Sequence, residues 1–200
     1  MLIENYYLKE RLLMKDRYAD IKKVLLTGEE ISKRTTEIAA EITRDYAGEE
    51  VLVVAILRGA VMFFAELVKQ IDLDVRMDFM AVSSYGASTV SSKEIKINKD
   101  LAQPIEGLNV IIVEDIIDTG HTLKSLLRLL WTRNPKSIKV CALLDKPSRR
   151  EVELEGDYVG FEVPNEFVVG YGLDYNEKYR NLPDVCVLKE SVYKNDIPVV

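Results

Sequence analysis

VIIVEDIIDTGHTLKSLLRLL, residues 110–130, decides how the chain is read. Val110, Ile111, Ile112 and Val113 form a β-branched run with no polar alternation, the pattern of a strand covered on both faces. Two carboxylates, Glu114 and Asp115, follow at once. After Ile116 and Ile117 comes Asp118-Thr119-Gly120-His121-Thr122, and then Leu123, Leu126, Leu127 and Leu130 recur at helix spacing with Lys124 and Arg128 between them. The acids and small hydroxyl residues therefore fall where a buried strand gives way to a helix.

That position has its own chemistry. Open parallel sheets collect ligands outside the carboxyl ends of their strands, and the first turn of the next helix offers unpaired N–H groups and a partial positive charge to an anion. Gly120 keeps the backbone approachable, while Thr119 and Thr122 add hydroxyl donors, so the loop reads as a cradle for one phosphate. Glu114 and Asp115 suit vicinal sugar hydroxyls or a hydrated Mg²⁺. A phosphorylated ribose satisfies both halves. Taken singly, Asp118 or Thr119 equally suits a helix cap and the acids a solvated strand end; the whole array is what points to a ligand.

The totals narrow the field. Two hundred residues, 48% of them hydrophobic, suffice for one compact domain with a small appendage. A formal net charge of −6 argues against a general nucleic-acid or membrane surface. Cys141 and Cys186 lie in apolar runs without CxxC spacing, as buried reduced thiols of a cytoplasmic protein would. His121 is the sole histidine, which disfavours a His-rich zinc site and gives a Ser-His-Asp triad little support. The N-terminus lacks a signal pattern, and no apolar run approaches the roughly 18 residues a membrane span needs.

Outward from the central stretch, Glu29–Tyr46 places Ile31, Thr35, Ile38, Ala39 and Ile42 on one helical stripe, with Gly48 as the stop. Val24–Leu26 suits a short strand. Val51–Leu57 is a second buried strand, followed by Arg58-Gly59-Ala60 and a helical run through Phe63, Phe64, Leu67 and Val68. A glycine at a strand end beside an arginine makes a second candidate anion loop. Val75–Tyr85 and Ile95–Asn98 read as strands flanking the small, polar segment Gly86–Ser92, which suggests a long hairpin or flap. Ser137–Leu144 is a strand ending at Asp145-Lys146-Pro147, and from Asp157 onward only short strands and turns are expected. The domain plan is one domain, 1–200, with N-terminal helices to about residue 48, a core from 49 to 150 and a hood from 151.

The VEDIIDTGHTL array resembles the signature of the phosphoribosyltransferases, which bind 5-phosphoribosyl 1-pyrophosphate, and looks most like their hypoxanthine-guanine members. The likeness spans roughly Val51 to Glu190. It implies an α/β fold of the type I kind: a central, mostly parallel twisted sheet flanked by helices, with a small C-terminal hood and a flexible lid hairpin. By the same resemblance Asp118 is the general base or hydrogen-bond acceptor at purine N7, and Glu114, Asp115, Asp118, Thr119, Gly120, His121 and Thr122 bind the ribose 5-phosphate, with His121 only shaping the loop. Arg58 and Gly59 bind pyrophosphate next to a cis peptide joining Leu57 to Arg58, although many relatives carry Lys in place of Arg58. Ser84 and Tyr85 belong to the lid. Lys146 donates to the 6-oxo oxygen, Phe167 stacks on the base and Val168 bonds it through the backbone. Arg180 reaches pyrophosphate, and Asp174, with Glu114 and Asp115, holds Mg²⁺. The implied reaction makes IMP from hypoxanthine or GMP from guanine in a homodimer or homotetramer, with no nucleic-acid or membrane partner. Two rivals stay open: a xanthine-preferring relative, and a non-catalytic sensor of the sugar pyrophosphate.

Overall fold

The β-branched runs become the inner strands of a sheet in the computed structural model, which describes residues 17–84 and 95–194. In chain order the elements are β1 (Ile21–Leu26), α1 (Gly28–Asp45), β2 (Val51–Leu57), α2 (Val61–Val68), β3 (Val75–Ser84), β4 (Ile95–Lys99), β5 (Asn109–Ile117), α3 (His121–Trp131), β6 (Ser137–Asp145), β7 (Tyr158–Glu162), β8 (Val168–Val169), β9 (Val185–Leu188) and α4 (Glu190–Tyr193). The chain divides into a larger unit, Glu29–Asn165, and a smaller one that draws on both flanking segments.

In the larger unit six strands lie in the order β4-β3-β2-β5-β6-β7. Every neighbouring pair is parallel except the β3–β4 hairpin, so the expected mostly parallel α/β sheet is present. Its centre is dry. Leu123, Leu126 and Leu130 of α3 pack in one cluster with Leu52, Val54, Ile56, Val110, Ile112 and Ala142. Side chains alternate across a strand, so Val51, Val53, Ala55, Ile111 and Val113 face the other way, and they too are fully buried. The buried stripe of α1 is Ile31, Thr35, Ile38, Ala39 and Ile42, as its periodicity predicts. Thr35 is tolerated there because its hydroxyl donates to the Ile31 carbonyl at 2.8 Å.

Topology creates the crevice. β2 leads through α2 to β3 on one side, whereas β5 leads through α3 to β6 on the other. Because β2 and β5 are parallel neighbours whose outgoing connections diverge, a gap opens at their carboxyl ends, where open α/β sheets bind ligands.

The structure departs from the sequence reading at two points. Strand β5 continues through Ile117, so Glu114 and Asp115 lie within it, because β6 keeps pairing as far as Ile117↔Asp145. Strand β7, expected in the hood, hydrogen-bonds parallel to β6, so the segment up to Asn165 belongs to the larger unit. The short strand expected at Val24–Leu26 is present as β1, beginning at Ile21. In the smaller unit β1, β9 and β8 form an antiparallel sheet, and Asp184 accepts from the Tyr18 hydroxyl at 2.5 Å and the Gly28 amide at 2.8 Å.

The β3–β4 hairpin is as expected as far as Ser84 and Ile95, while Tyr85 and the lid segment Gly86–Ser92 lie outside the described residues. The Leu57–Arg58 peptide is cis. Cys141 and Cys186 are buried and free. Among the described residues no helix is long and apolar enough to cross a membrane. Ile112 is fully buried at the centre of the sheet, so Ile112→Ala is expected to cost about 2–5 kcal/mol of stability, read from the urea midpoint; a loss under about 1 kcal/mol would contradict this packing.

Candidate active site

The crevice between β2 and β5 brings two of the sequence-read loops together. A Cβ built on Gly59 would lie 1.5 Å from Asp115 Oδ2, so the strand-end glycine is packed directly against this carboxylate and no larger residue fits. Asp115 Oδ1 accepts from the Ile116 amide at 2.8 Å. Arg58, beside Gly59, is exposed. Glu114 alternates to the opposite face, that of Val110 and Ile112, and its carboxyl is desolvated there. This burial, with the Asp115 charge second, pushes it well above the usual carboxylate range.

Beyond Ile117 the chain bends through Asp118, Thr119 and Gly120 into α3. Gly120 has φ +86° and its Cβ would meet Val152 Cγ2 at 2.8 Å, so both the turn and the crowding require glycine. No side chain caps the helix start. Thr119, His121 and Thr122 are half-buried around the bend.

The β5–β6 register, Ile117↔Asp145, brings Lys146 to the level of Asp118. The Lys146 amide donates to the Ile117 carbonyl at 3.0 Å, which continues the pairing one step further. Lys146 is only 7% exposed. Burial lowers its ammonium pKa; the Asp118 charge opposes that shift and Arg149 reinforces it. Asp118 Oδ1 accepts from Arg149 Nε at 3.0 Å. The segment that follows Lys146 folds back over the bend: the Glu151 amide donates to the Thr119 carbonyl at 3.1 Å, and His121 Nε2 lies 2.8 Å from Glu151 Oε2.

The remaining expected residues lie in the smaller unit. Asp174 Oδ1 is 2.7 Å from Arg180 Nη2, and Asp174 Oδ2 accepts from the Glu177 amide at 2.9 Å. Arg180 Nη1 donates to the Gly172 carbonyl at 2.8 Å, while its Nε is buried without a hydrogen bond. Tyr171, Asn176, Glu177 and Tyr179 all have positive φ in this loop, a concentration of strained backbone typical of functional sites. Phe167 stacks on Tyr193 at 4.9 Å and meets Tyr175 edge-on at 5.4 Å, yet stays 37% exposed. Val168 is buried in β8, paired with Val187.

Sequence reading passed over Arg149, Arg150 and Glu151. The signal was the charged run Arg-Arg-Glu directly after a ligand-side strand end, but charges in a loop are ordinarily solvated, and only their partners reveal the clasp.

Residues 23–176 match the family described as phosphoribosyl transferase domain. The chain is 56% identical over 174 residues to the hypoxanthine-guanine phosphoribosyltransferase of Streptococcus thermophilus (strain CNRZ 1066), covering 87% of this chain and 97% of that one. To the protein of the same name from Bacillus subtilis (strain 168) it is 54% identical over 176 residues, covering 88% and 98%. A crystal structure of a hypoxanthine phosphoribosyltransferase from Staphylococcus aureus superposes with a TM-score of 0.85 at 49% identity, covering 88% of this chain and 96% of that one.

The Glu114 environment has a measurable consequence. A carboxyl whose folded pKa lies above its unfolded value opposes folding when it ionises; for Glu114 the penalty is absent below the ordinary value of 4.5 and grows as pH rises towards the folded pKa. Glu114→Gln is therefore expected to melt at a higher temperature than the parent at pH 8, with the gap closing as pH falls. Thermal melts across that range check this, and a lower melting point for the variant at pH 8 overturns it.

Proposed function

This chain belongs to the phosphoribosyl transferase domain family, and we propose that it is a purine salvage enzyme. It transfers the 5-phosphoribosyl group from 5-phosphoribosyl 1-pyrophosphate to N9 of hypoxanthine or guanine, releasing pyrophosphate and forming IMP or GMP. The observation that carries the reading is the β5–β6 register, with a buried ammonium at Lys146 level with the carboxylate of Asp118, at the head of a bend that suits a phosphate. Identities of 54–56% with relatives named for hypoxanthine and guanine support that choice of base over xanthine.

The 6-oxo oxygen and N7 share one edge of the purine. Lys146 donates to the oxygen, and Asp118 is the acceptor at N7. An ammonium donor has no match in the 6-amino group of adenine, which disfavours that base. A carboxylate is a weak base, so Asp118 assists as an acceptor more than it abstracts a proton outright. Thr119, Gly120, His121 and Thr122 hold the 5′-phosphate through backbone amides and hydroxyls, while Glu114 and Asp115 hold the ribose hydroxyls. Phe167 offers its exposed ring to the flat base, and the Val168 backbone bonds the base edge.

Cleavage of the anomeric bond builds positive charge on ribose and negative charge on pyrophosphate. Arg58, the Gly59 amide and Arg180 stabilise the leaving group. Mg²⁺, when bound, would add to that neutralisation. The donor chemistry suits it: Asp115, packed against Gly59 at the crevice, offers hard carboxylate oxygens, and we assign Glu114 beside it in β5 and Asp174 of the smaller unit as the further ligands. The lid, from Ser84 and Tyr85, excludes water that would otherwise hydrolyse the activated sugar. The family match takes in parts of both units, which supports reading them as one functional domain. We assign the enzyme to the cytoplasm, in keeping with its buried free thiols, and to a homodimer or homotetramer.

The protein with Mg²⁺, the sugar donor and hypoxanthine, guanine, xanthine or adenine in separate reactions is expected to form IMP and GMP. Predominant xanthine nucleotide would shift the base assignment, and no product with any base would sink the reading. Asp118→Asn is expected to lower turnover by on the order of 10²-fold with little change in base KM; unchanged turnover removes its role. Lys146→Ala is expected to weaken hypoxanthine binding and blur discrimination against adenine in competition assays, and retained selectivity would assign the 6-oxo contact elsewhere.

A further inference from the structure

Arg150 bonds three partners at the ligand end of the larger unit, and none of the chemistry above uses it. Its guanidinium joins three separate segments. Nη1 donates to the Asp118 carbonyl at 2.5 Å, Nε donates to the Leu154 carbonyl at 3.0 Å, and Nη2 pairs with the Asp145 carboxylate. Its side chain is part-buried, and its Cδ packs against Gly120, 3.2 Å from where a Cβ would stand. The first contact is to the peptide of the residue assigned to N7. The third is to the neighbour of the residue assigned to the 6-oxo oxygen.

From this geometry we propose that Arg150 is a positioning residue that fixes the spacing between Asp118 and Lys146, and so decides how sharply the site reads the O6/N7 edge of a purine. The proposal rests on the base-binding roles given above. Asp118 and Lys146 stand at the ends of different strands, beyond the last paired residues Ile117 and Asp145, where Lys146 N–H donates to Ile117 O as the ladder ends. Beyond that bond the sheet ladder no longer sets their separation. A planar fork with three donor nitrogens, each satisfied, holds both sides at once and loses little freedom per bond formed. Lysine has a single ammonium and no fixed fork, so it cannot reproduce the arrangement. Alignment matters because two hydrogen bonds to one rigid edge form together only when their partners are correctly spaced.

The test compares the parent with Arg150→Met and Arg150→Lys. For each, hypoxanthine KM is measured together with inhibition constants for purine, which lacks the 6-oxo group, and 7-deazahypoxanthine, which lacks N7. Thermal melts report folding. The parent is expected to bind hypoxanthine far more tightly than either analogue, and in Arg150→Met both advantages should shrink by about 10-fold, with partial recovery in Arg150→Lys. Lost stability with both advantages intact would show a merely structural residue and overturn the proposal, as would unchanged constants. Should Arg150→Met not fold, Asp145→Asn, which removes one arm of the bridge, is expected to shrink the advantages in the same direction by a smaller factor, and unchanged advantages there overturn the proposal equally. Failure of the parent to use hypoxanthine would instead sink the base assignment, which keeps the two outcomes apart.

Discussion

One backbone conformation governs the candidate site: the left-handed turn at Gly120. Strand β5 hands over to α3 across three residues, the last of which takes φ +86°, and the space a side chain there would need is filled by Val152, Arg150 and Leu154. That crowding is itself part of the arrangement. Because the segment after β6 closes down on the glycine, it also reaches the carbonyls of Asp118 and Thr119, and the bend is held from outside instead of by a side-chain cap. No capping side chain competes for the first amides of α3, which suits the phosphate role proposed for the bend.

The same logic explains what could be read from the chain alone. Strands buried on both faces carry no alternation, so β2 and the start of β5 declared themselves in VLVVAIL and VIIV, and the five-residue stripe of α1 fell at its expected positions. The end of β5 did not. Two acids look like a strand's exit, yet the ladder with β6 continues beneath them, and backbone pairing is indifferent to the side chains it carries. Strand β7 was misassigned for a related reason: YVGFE has the same short, mixed character as the strands of the smaller unit, and sheet membership depends on a partner distant in sequence. Loop charges were the least legible, since the meaning of Arg150 lies wholly in the carbonyls and carboxylate that meet it.

Glu114 and Asp115 show how one dipeptide yields two environments. Strand alternation sends the first towards the face packed by α3 and the second against Gly59, so neighbours with the same chemistry differ in desolvation. A net charge of −6 gives no hint of this division, nor of the local basic cluster of Lys146, Arg149 and Arg150 that suits anionic ligands.

Under the roles proposed for Asp118 and Lys146, selectivity and turnover draw on two differently placed groups. The Asp118–Arg149 pair is exposed on both partners, 41% and 45%, and such pairs are worth about 0–1 kcal/mol, so an arriving base can replace Arg149 at little cost. Lys146 is the opposite case. Its ammonium is buried and its protonation is already made harder by desolvation, so every hydrogen bond it keeps matters more than it would in water. A 6-oxo oxygen adds an acceptor to that charge, whereas an amino group brings its own donors against it. On the proposed assignment, discrimination among purines falls to the buried lysine, and the readily released aspartate is left able to follow the charge that develops on the base during transfer.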